Sequence, residues 1–247
     1  MYNFLRKFLL STIIVLASFS LIKSVHAIDP DQALADLQQT TLSTGPQGES
    51  PVSASEINLT DDEIAKIKAM NATAVIPMHI MSGDWSQAQI NGLKHQFEKM
   101  GVEVLAVTDA GFKAEKQVSD IETLLAKNPD ILVSIPTDPT ATAPAYKKAA
   151  EQGVVLVFMD NVPNGFVAGK DYVAAVSADN IGNGVASAHL MAKALNQKGE
   201  IGIVFHAADF FVTAQRYEGF KTTIVENYPD IKIVAEQGIG GPDFPGD

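Results

Sequence analysis

Between Ala74 and Ala207 one unit recurs: a short β-branched run, a polar loop, a helix-period stretch, then a Gly or Asn-Pro stop. The runs begin near Ala74, Glu103, Asp130, Val154, Tyr172, Glu200 and Ile231. This spacing leaves room for one crossover helix between most runs, which predicts βαβ units and a parallel sheet. Helices are expected from after Trp85 to Met100, Ala114 to Lys127, Ala141 to Gln152, Ile181 to Gln197 and Thr213 to Asn227. Gly101, Asn128-Pro129, Gly153 and Tyr228-Pro229 supply the stops. The runs Ile131 to Ile135 and Val154 to Phe158 are apolar on both sides, as in strands covered by helices on both faces. Ligands of such sheets sit outside the carboxyl ends of the strands. Those ends read Met78-His79-Ile80-Met81, Ile135-Pro136-Thr137-Asp138, Phe158-Met159-Asp160-Asn161 and Phe205-His206-Ala207-Ala208.

The first residues bear on location. Arg6 and Lys7 precede an uncharged run from Phe8 to Ile22, followed by Val25-His26-Ala27. Small residues at the last and third-last positions predict a secretory signal, residues 1–27, cleaved after Ala27 to release a periplasmic protein. The run of about 15 residues is too short for a membrane span of roughly 20. The chain has no Cys, which excludes a lipoprotein anchor and any disulfide. Loss of the three cations Arg6, Lys7 and Lys23 would take the formal net charge from −11 to −14. A chain this acidic is unsuited to nucleic acid, and the charge favours a soluble monomer.

Residues 28–73 lack the repeat and read as an extension and linker. Gly45 to Ser55 is rich in Pro, Gly and Ser, and Thr60 with Glu63 forms a capping box for a short helix whose apolar side is Ile64, Ile67 and Met70. That helix is expected to pack loosely on the main body. At the other end, Ile231 to Glu236 leads into Gly238-Ile239-Gly240-Gly241-Pro242 and the chain stops at Asp247. The expectation is the N-terminal part of a longer protein, with lobes at 74–178 and 179–247 and the second one truncated.

No catalytic or cofactor motif stands out. Gly182-Asn183-Gly184-Val185-Ala186-Ser187 resembles a dinucleotide fingerprint, but Ser replaces the third Gly and no acid ends the next strand. Its small residues instead predict close packing of a helix on the sheet. There is no Gly-x-Ser-x-Gly elbow, and the His residues lack metal spacing. What remains at the strand ends is a set of planar polar side chains and aromatics: Asp84, Trp85, Asp138, Asp160, Asn161, His206, Phe210, Phe211 and Arg216. Sugars need this mixture, since hydroxyls pair with carboxylate and guanidinium planes while C–H faces stack on rings. No cofactor, no metal and no catalysis are expected.

The ordered series Ser82-Gly83-Asp84-Trp85-Ser86 through Gly92, Ile135-Pro136-Thr137-Asp138, Phe158-Met159-Asp160-Asn161, Ser177-Ala178-Asp179-Asn180 with Gly184, and Gln215-Arg216-Tyr217-Glu218-Gly219-Phe220 resembles the type I periplasmic sugar-binding proteins of ABC importers, the ribose-binding family. The resemblance covers Ala74 to Asp247. It implies an α/β type I periplasmic-binding-protein fold with two doubly wound parallel-sheet lobes. It further implies that Trp85 stacks on a sugar or polyol, Asp160 accepts from its hydroxyls and Arg216 reaches in from the second lobe. Asn161 stands where ribose binders carry Arg, which leaves the sugar open. Further ligand groups and two of three hinge strands would lie beyond Asp247. The implied partners are ABC permease subunits. A receptor of the same fold that signals through a chemoreceptor, and an exported enzyme using His206, Asp209 and Asp160, are the alternatives.

Overall fold

A computed structural model describes residues 28–207 and 210–240. The expected signal peptide with its cleavage site, Asp209, and the segment from Gly241 to Asp247 lie outside the described residues.

Each β-branched run forms a strand. β1 (Thr73–Met78), β2 (Glu103–Asp109), β3 (Ile131–Ser134), β4 (Val155–Met159) and β5 (Ala174–Val176) make one parallel sheet in the order β2-β1-β3-β4-β5. β6 (Gly199–His206) and β7 (Ile231–Ile239) pair in a second parallel sheet. The crossover helices are α3 (Asp84–Met100), α4 (Ala114–Leu125), α5 (Ala143–Glu151), α6 (Asn180–Ala194) and α7 (Phe211–Asn227). Gly101 ends α3 in the left-handed region at φ 68°, as its position after Met100 predicts.

The alternation of side chains along the strands sorts the first lobe into two cores. Leu132, Leu156 and Phe158 meet Ile121 and Leu124 of α4 and Tyr146 of α5 on one face. Ile76, Met78, Val133 and Met159 meet Ile90 and Phe97 of α3 on the other. The expectation that helices cover both faces of the central strands holds only on the first of these. On the face of α3, Val155 and Val176 are 42% and 59% exposed, because one helix is too narrow to roof β4 and β5 as well. In the second lobe Ala188, Ala192, Ile201, Ile224 and Tyr228 form a smaller core.

Two local expectations need correction. Gly184 does not serve packing of α6 on the sheet. A Cβ there would lie 2.2 Å from the Arg216 carbonyl oxygen and 2.8 Å from the Phe220 nitrogen, and one on Gly219 would lie 2.4 Å from the Ile181 oxygen. The small residues let α6 and α7 cross backbone to backbone. The extension also contains more than a linker: α1 (Pro30–Leu37) lies along α6, α2 (Asp61–Met70) carries the expected Thr60–Glu63 capping box, and a 3₁₀ turn spans Ala54–Glu56. Of the apolar side expected for α2, Ile67 packs on the core while Met70 faces solvent. Among the described residues no helix is long and apolar enough to cross a membrane.

Candidate ligand cleft

The carboxyl ends of β1, β3, β4 and β6 open onto a cavity of about 910 Å³ that continues from the cleft between the lobes down the uncovered α3 face of the first sheet, past Leu93, Met100, Ile131 and Val155. A single buried side chain aligns two of those ends. Gln117 of α4, fully buried, donates through Nε2 to the carbonyls of Pro77 (3.3 Å) and Ile135 (2.9 Å), and its Oε1 accepts from the amide and hydroxyl of Thr137 at 2.8 and 2.9 Å. The staple holds the Pro-Thr turn after β3 against the end of β1. Ser134 Oγ, bonded to the Pro77 carbonyl and to Tyr146, reinforces it.

Trp85 projects from the first turn of α3 into the cleft and is 52% exposed, so it is not a core residue. His79 stands beside it, edge to face at 6.3 Å between centroids, and meets Phe112 at 5.0 Å from the other side. Phe112 is 57% exposed and adopts φ 59°, an unfavourable conformation for a bulky residue that is held by its backbone N–H, which donates to the His79 carbonyl at 2.8 Å. The buried Nδ1 of His79 finds no partner among the described residues, and burial lowers the imidazole pKa against the pull of Asp160 and Asp109. A neutral ring therefore lines the cleft, with its Nδ1 buried away from solvent. Strand-end position was the only sequence signal for His79. None marked Phe112, which lies in the loop after β2.

Asp160, just past β4, also sits in the left-handed region at φ 57°. Its carboxylate caps no helix and accepts from Ser177 Oγ at 2.8 Å. From there a polar relay passes to the second lobe. Asn180 Nδ2 donates to Ser177 Oγ (2.8 Å), and its Oδ1 accepts from Arg216 Nε at 2.7 Å. Asp160 and Arg216 thus line the same cleft from opposite lobes, joined through the crossing segment. Asn161 is buried in the cleft wall, and its Oδ1 accepts from the Val212 amide across the lobes at 3.5 Å. His206 and Phe210 add a ring pair at 5.2 Å on the second-lobe side.

The remaining candidates sit elsewhere. Asp84 is exposed at the start of α3 and Phe211 begins α7, and neither lines the cleft. Asp138 is exposed too, its carboxylate accepting from the amides of Thr140 (2.8 Å) and Ala141 (2.7 Å), so it shapes the turn ahead of α5. Among the described residues the cleft offers rings, one carboxylate, one guanidinium and amide groups. Among the described residues no group of three His, Cys, Asp or Glu could hold a metal.

Comparison with known proteins agrees with this architecture. The periplasmic binding protein domain family matches residues 74–243. The ribose import binding protein RbsB of Bacillus subtilis is 32% identical over 165 residues, covering 58% of this chain and 54% of that protein. A D-ribose/D-allose-binding protein of Pseudomonas aeruginosa is 29% identical over 147 residues, covering 57% and 46%. The chain thus spans about half the length of these relatives. Among solved structures, the arabinose binding protein AraP of Geobacillus stearothermophilus is 25% identical with a TM-score of 0.59, covering 68% of this chain and 56% of that one. A Caulobacter myo-inositol binding protein bound to myo-inositol is 26% identical with a TM-score of 0.59, covering 68% and 55%. The parallel α/β lobes, the cleft at their strand ends and this match over most of the chain mean that the protein belongs to the periplasmic binding protein family, with the type I fold of its sugar-binding members.

Proposed function

We propose that this chain captures a sugar or cyclic polyol between its lobes as the exported binding component of an ABC importer. The observation that carries the reading is the pairing of Asp160 and Arg216 across one cleft beside the Trp85–His79–Phe112 rings. A planar carboxylate and a guanidinium offer acceptors and donors to adjacent hydroxyls, and an exposed ring offers its face to the C–H side of the sugar. Relatives and neighbours named for ribose, allose, arabinose and myo-inositol are compatible with that chemistry. Asn161 supplies an amide where ribose binders present Arg, and it is already engaged with Val212, so the wall is less basic than a ribose site. Rotation of the lobes about the crossing would bury the ligand and present a new surface to a permease.

We assign residues 74–178 and 179–247 to the two lobes and 28–73 to an extension, with export directed by residues 1–27. A thermal-shift screen of the complete protein against pentoses, hexoses and cyclitols, followed by isothermal titration, tests the function. A saturable micromolar sugar ligand, worth about 8 kcal/mol, is the expected result. Stabilisation by no sugar or polyol, or turnover of one that binds, would reject it.

A further inference from the structure

Residues 28–47 run across both lobes beside the crossing at Ser177–Asn180, and the bonds they make avoid the side chains that line the cleft. On the second lobe α1 lies along α6. Lys193 pairs with Asp31 at 2.5 Å, Gln197 Nε2 donates to the Ile28 carbonyl at 3.1 Å, and Ile28 packs against the core. At the crossing, the buried hydroxyl of Ser43 donates to Asp179 Oδ1 at 2.8 Å and accepts from the Ile181 amide at 2.8 Å. The amides of Leu42 and Ser43 close on the same carboxylate at 3.0 and 2.9 Å, and Gln215 of α7 holds the Thr44 carbonyl at 3.2 Å. Three residues on, Gln47 Nε2 donates to the Phe166 carbonyl of the first lobe. Further along, α2 docks Ile67 on the first-lobe core before the chain enters β1.

Asp179 occupies a telling place in this arrangement. Its chain neighbour Asn180 bonds Arg216, and Ser177, two residues back, bonds Asp160. Its own carboxylate also caps α6 through the Gly182 amide at 2.9 Å. Burial opposes its charge, but the surrounding amides and the Ser43 hydroxyl outweigh that and hold its pKa below the usual carboxylate range. An ionised, fully bonded Asp179 fixes the segment that carries both ends of the relay.

We propose that residues 28–47 form a strap over the lobe crossing, with Ser43 a positioning residue for Asp160 and Arg216 that acts through Asp179. Hinge closure is absorbed by a few backbone torsions. A further chain path, bonded on both sides of the hinge, narrows the range those torsions sample. Apparent affinity scales with the fraction of molecules in the binding-competent arrangement, so loosening the strap weakens binding without touching the ligand.

The test uses the complete exported protein with Lys99→Cys and Glu226→Cys, exposed on α3 and α7, carrying spin labels for an interlobe distance; residues 1–247 hold no Cys, and any Cys beyond them is replaced by Ser. Without any ligand, Ser43→Ala and Gln47→Ala should each broaden or shift the distance distribution, while Ser43→Thr keeps the parent distribution. Each alanine variant should also bind the parent's sugar about fivefold more weakly, the worth of one hydrogen bond of ~1 kcal/mol. The affinity arm rests on the proposed sugar site, and the distance arm does not. Moved distances in a protein that binds no sugar would support the strap while rejecting the ligand. Unchanged distances in both alanine variants would overturn the strap, including when the unfolding temperature falls, since that is what a merely structural bond would show.

Discussion

The crossing of α6 and α7 gives the sharpest test of the second lobe. In Gly184→Ala the new Cβ would lie 2.2 Å from the Arg216 carbonyl oxygen, against backbone that has no rotamer to yield. A carbon–oxygen contact needs about 3.3 Å, so the helices must part by roughly 1 Å. Overpacking of this kind costs typically 1–3 kcal/mol, and backbone on both sides places it near the upper end. Alanine returns about 1 kcal/mol of helix propensity. The net loss is about 2 kcal/mol, or roughly 4–8 °C in unfolding temperature for a chain of this size. Gly219→Ala, facing the Ile181 oxygen at 2.4 Å, should behave alike. Gly92→Ala, on α3 with nothing within 4 Å of the added carbon, should instead gain up to about 1 kcal/mol. Calorimetric melts of the three variants decide the matter. A neutral or stabilised Gly184→Ala would mean that the helices do not cross at these glycines.

Removing the Gln117 staple by Gln117→Leu should cost about 3 kcal/mol, because the amide and hydroxyl of Thr137 lose a buried acceptor, and ligand affinity should fall with it; denaturant titration and calorimetry measure both. The pKa of His79 and of His189 is lowered by burial, so the unfolded chain binds their protons more readily. Stability from these two groups is full above their ordinary 6.5 and declines as the pH falls below it. A second decline should follow in stronger acid, once protonation reaches Asp179 below its ordinary 3.8. Chemical unfolding from pH 7.5 to 5 should show the first slope, and His189→Asn should reduce it. N-terminal sequencing of the exported protein should return Ile28, whereas Met1 would contradict cleavage after Ala27.

Much of the lobe architecture was legible because strand runs and helix stops are local signals. All seven runs became strands, and Gly101 ended α3 as a left-handed cap should. Helix bounds moved by one to three residues, as with α3 beginning at Asp84 before Trp85 and α6 ending at Ala194 where Gln197 was expected. What stayed hidden depends on contacts distant in sequence. Gln117 sits in a helix whose pattern gives it no special mark, and its partners are 40 and 18 residues away. Ser43 meets Asp179 across 136 residues, so the stretch around it reads as a polar linker. Asp138 has the composition of a ligand group but spends its carboxylate on its own turn, a choice only geometry reveals. Phe112 becomes part of the cleft through a left-handed backbone that its residue type disfavours.

Trp85 is the only tryptophan in residues 1–247, so an emission change that Trp85→Phe removes reports on the cleft. Titration of the complete protein with the sugar found by screening is the most direct test of the central claim. The account predicts a saturable change in Trp85 emission, with affinity reduced roughly ten- to a hundredfold in Asp160→Ala, the worth of a charge-assisted hydrogen bond of about 1.5–3 kcal/mol. A sugar that binds with unchanged Trp85 emission and equal affinity for Asp160→Ala would place the binding site somewhere other than this cleft.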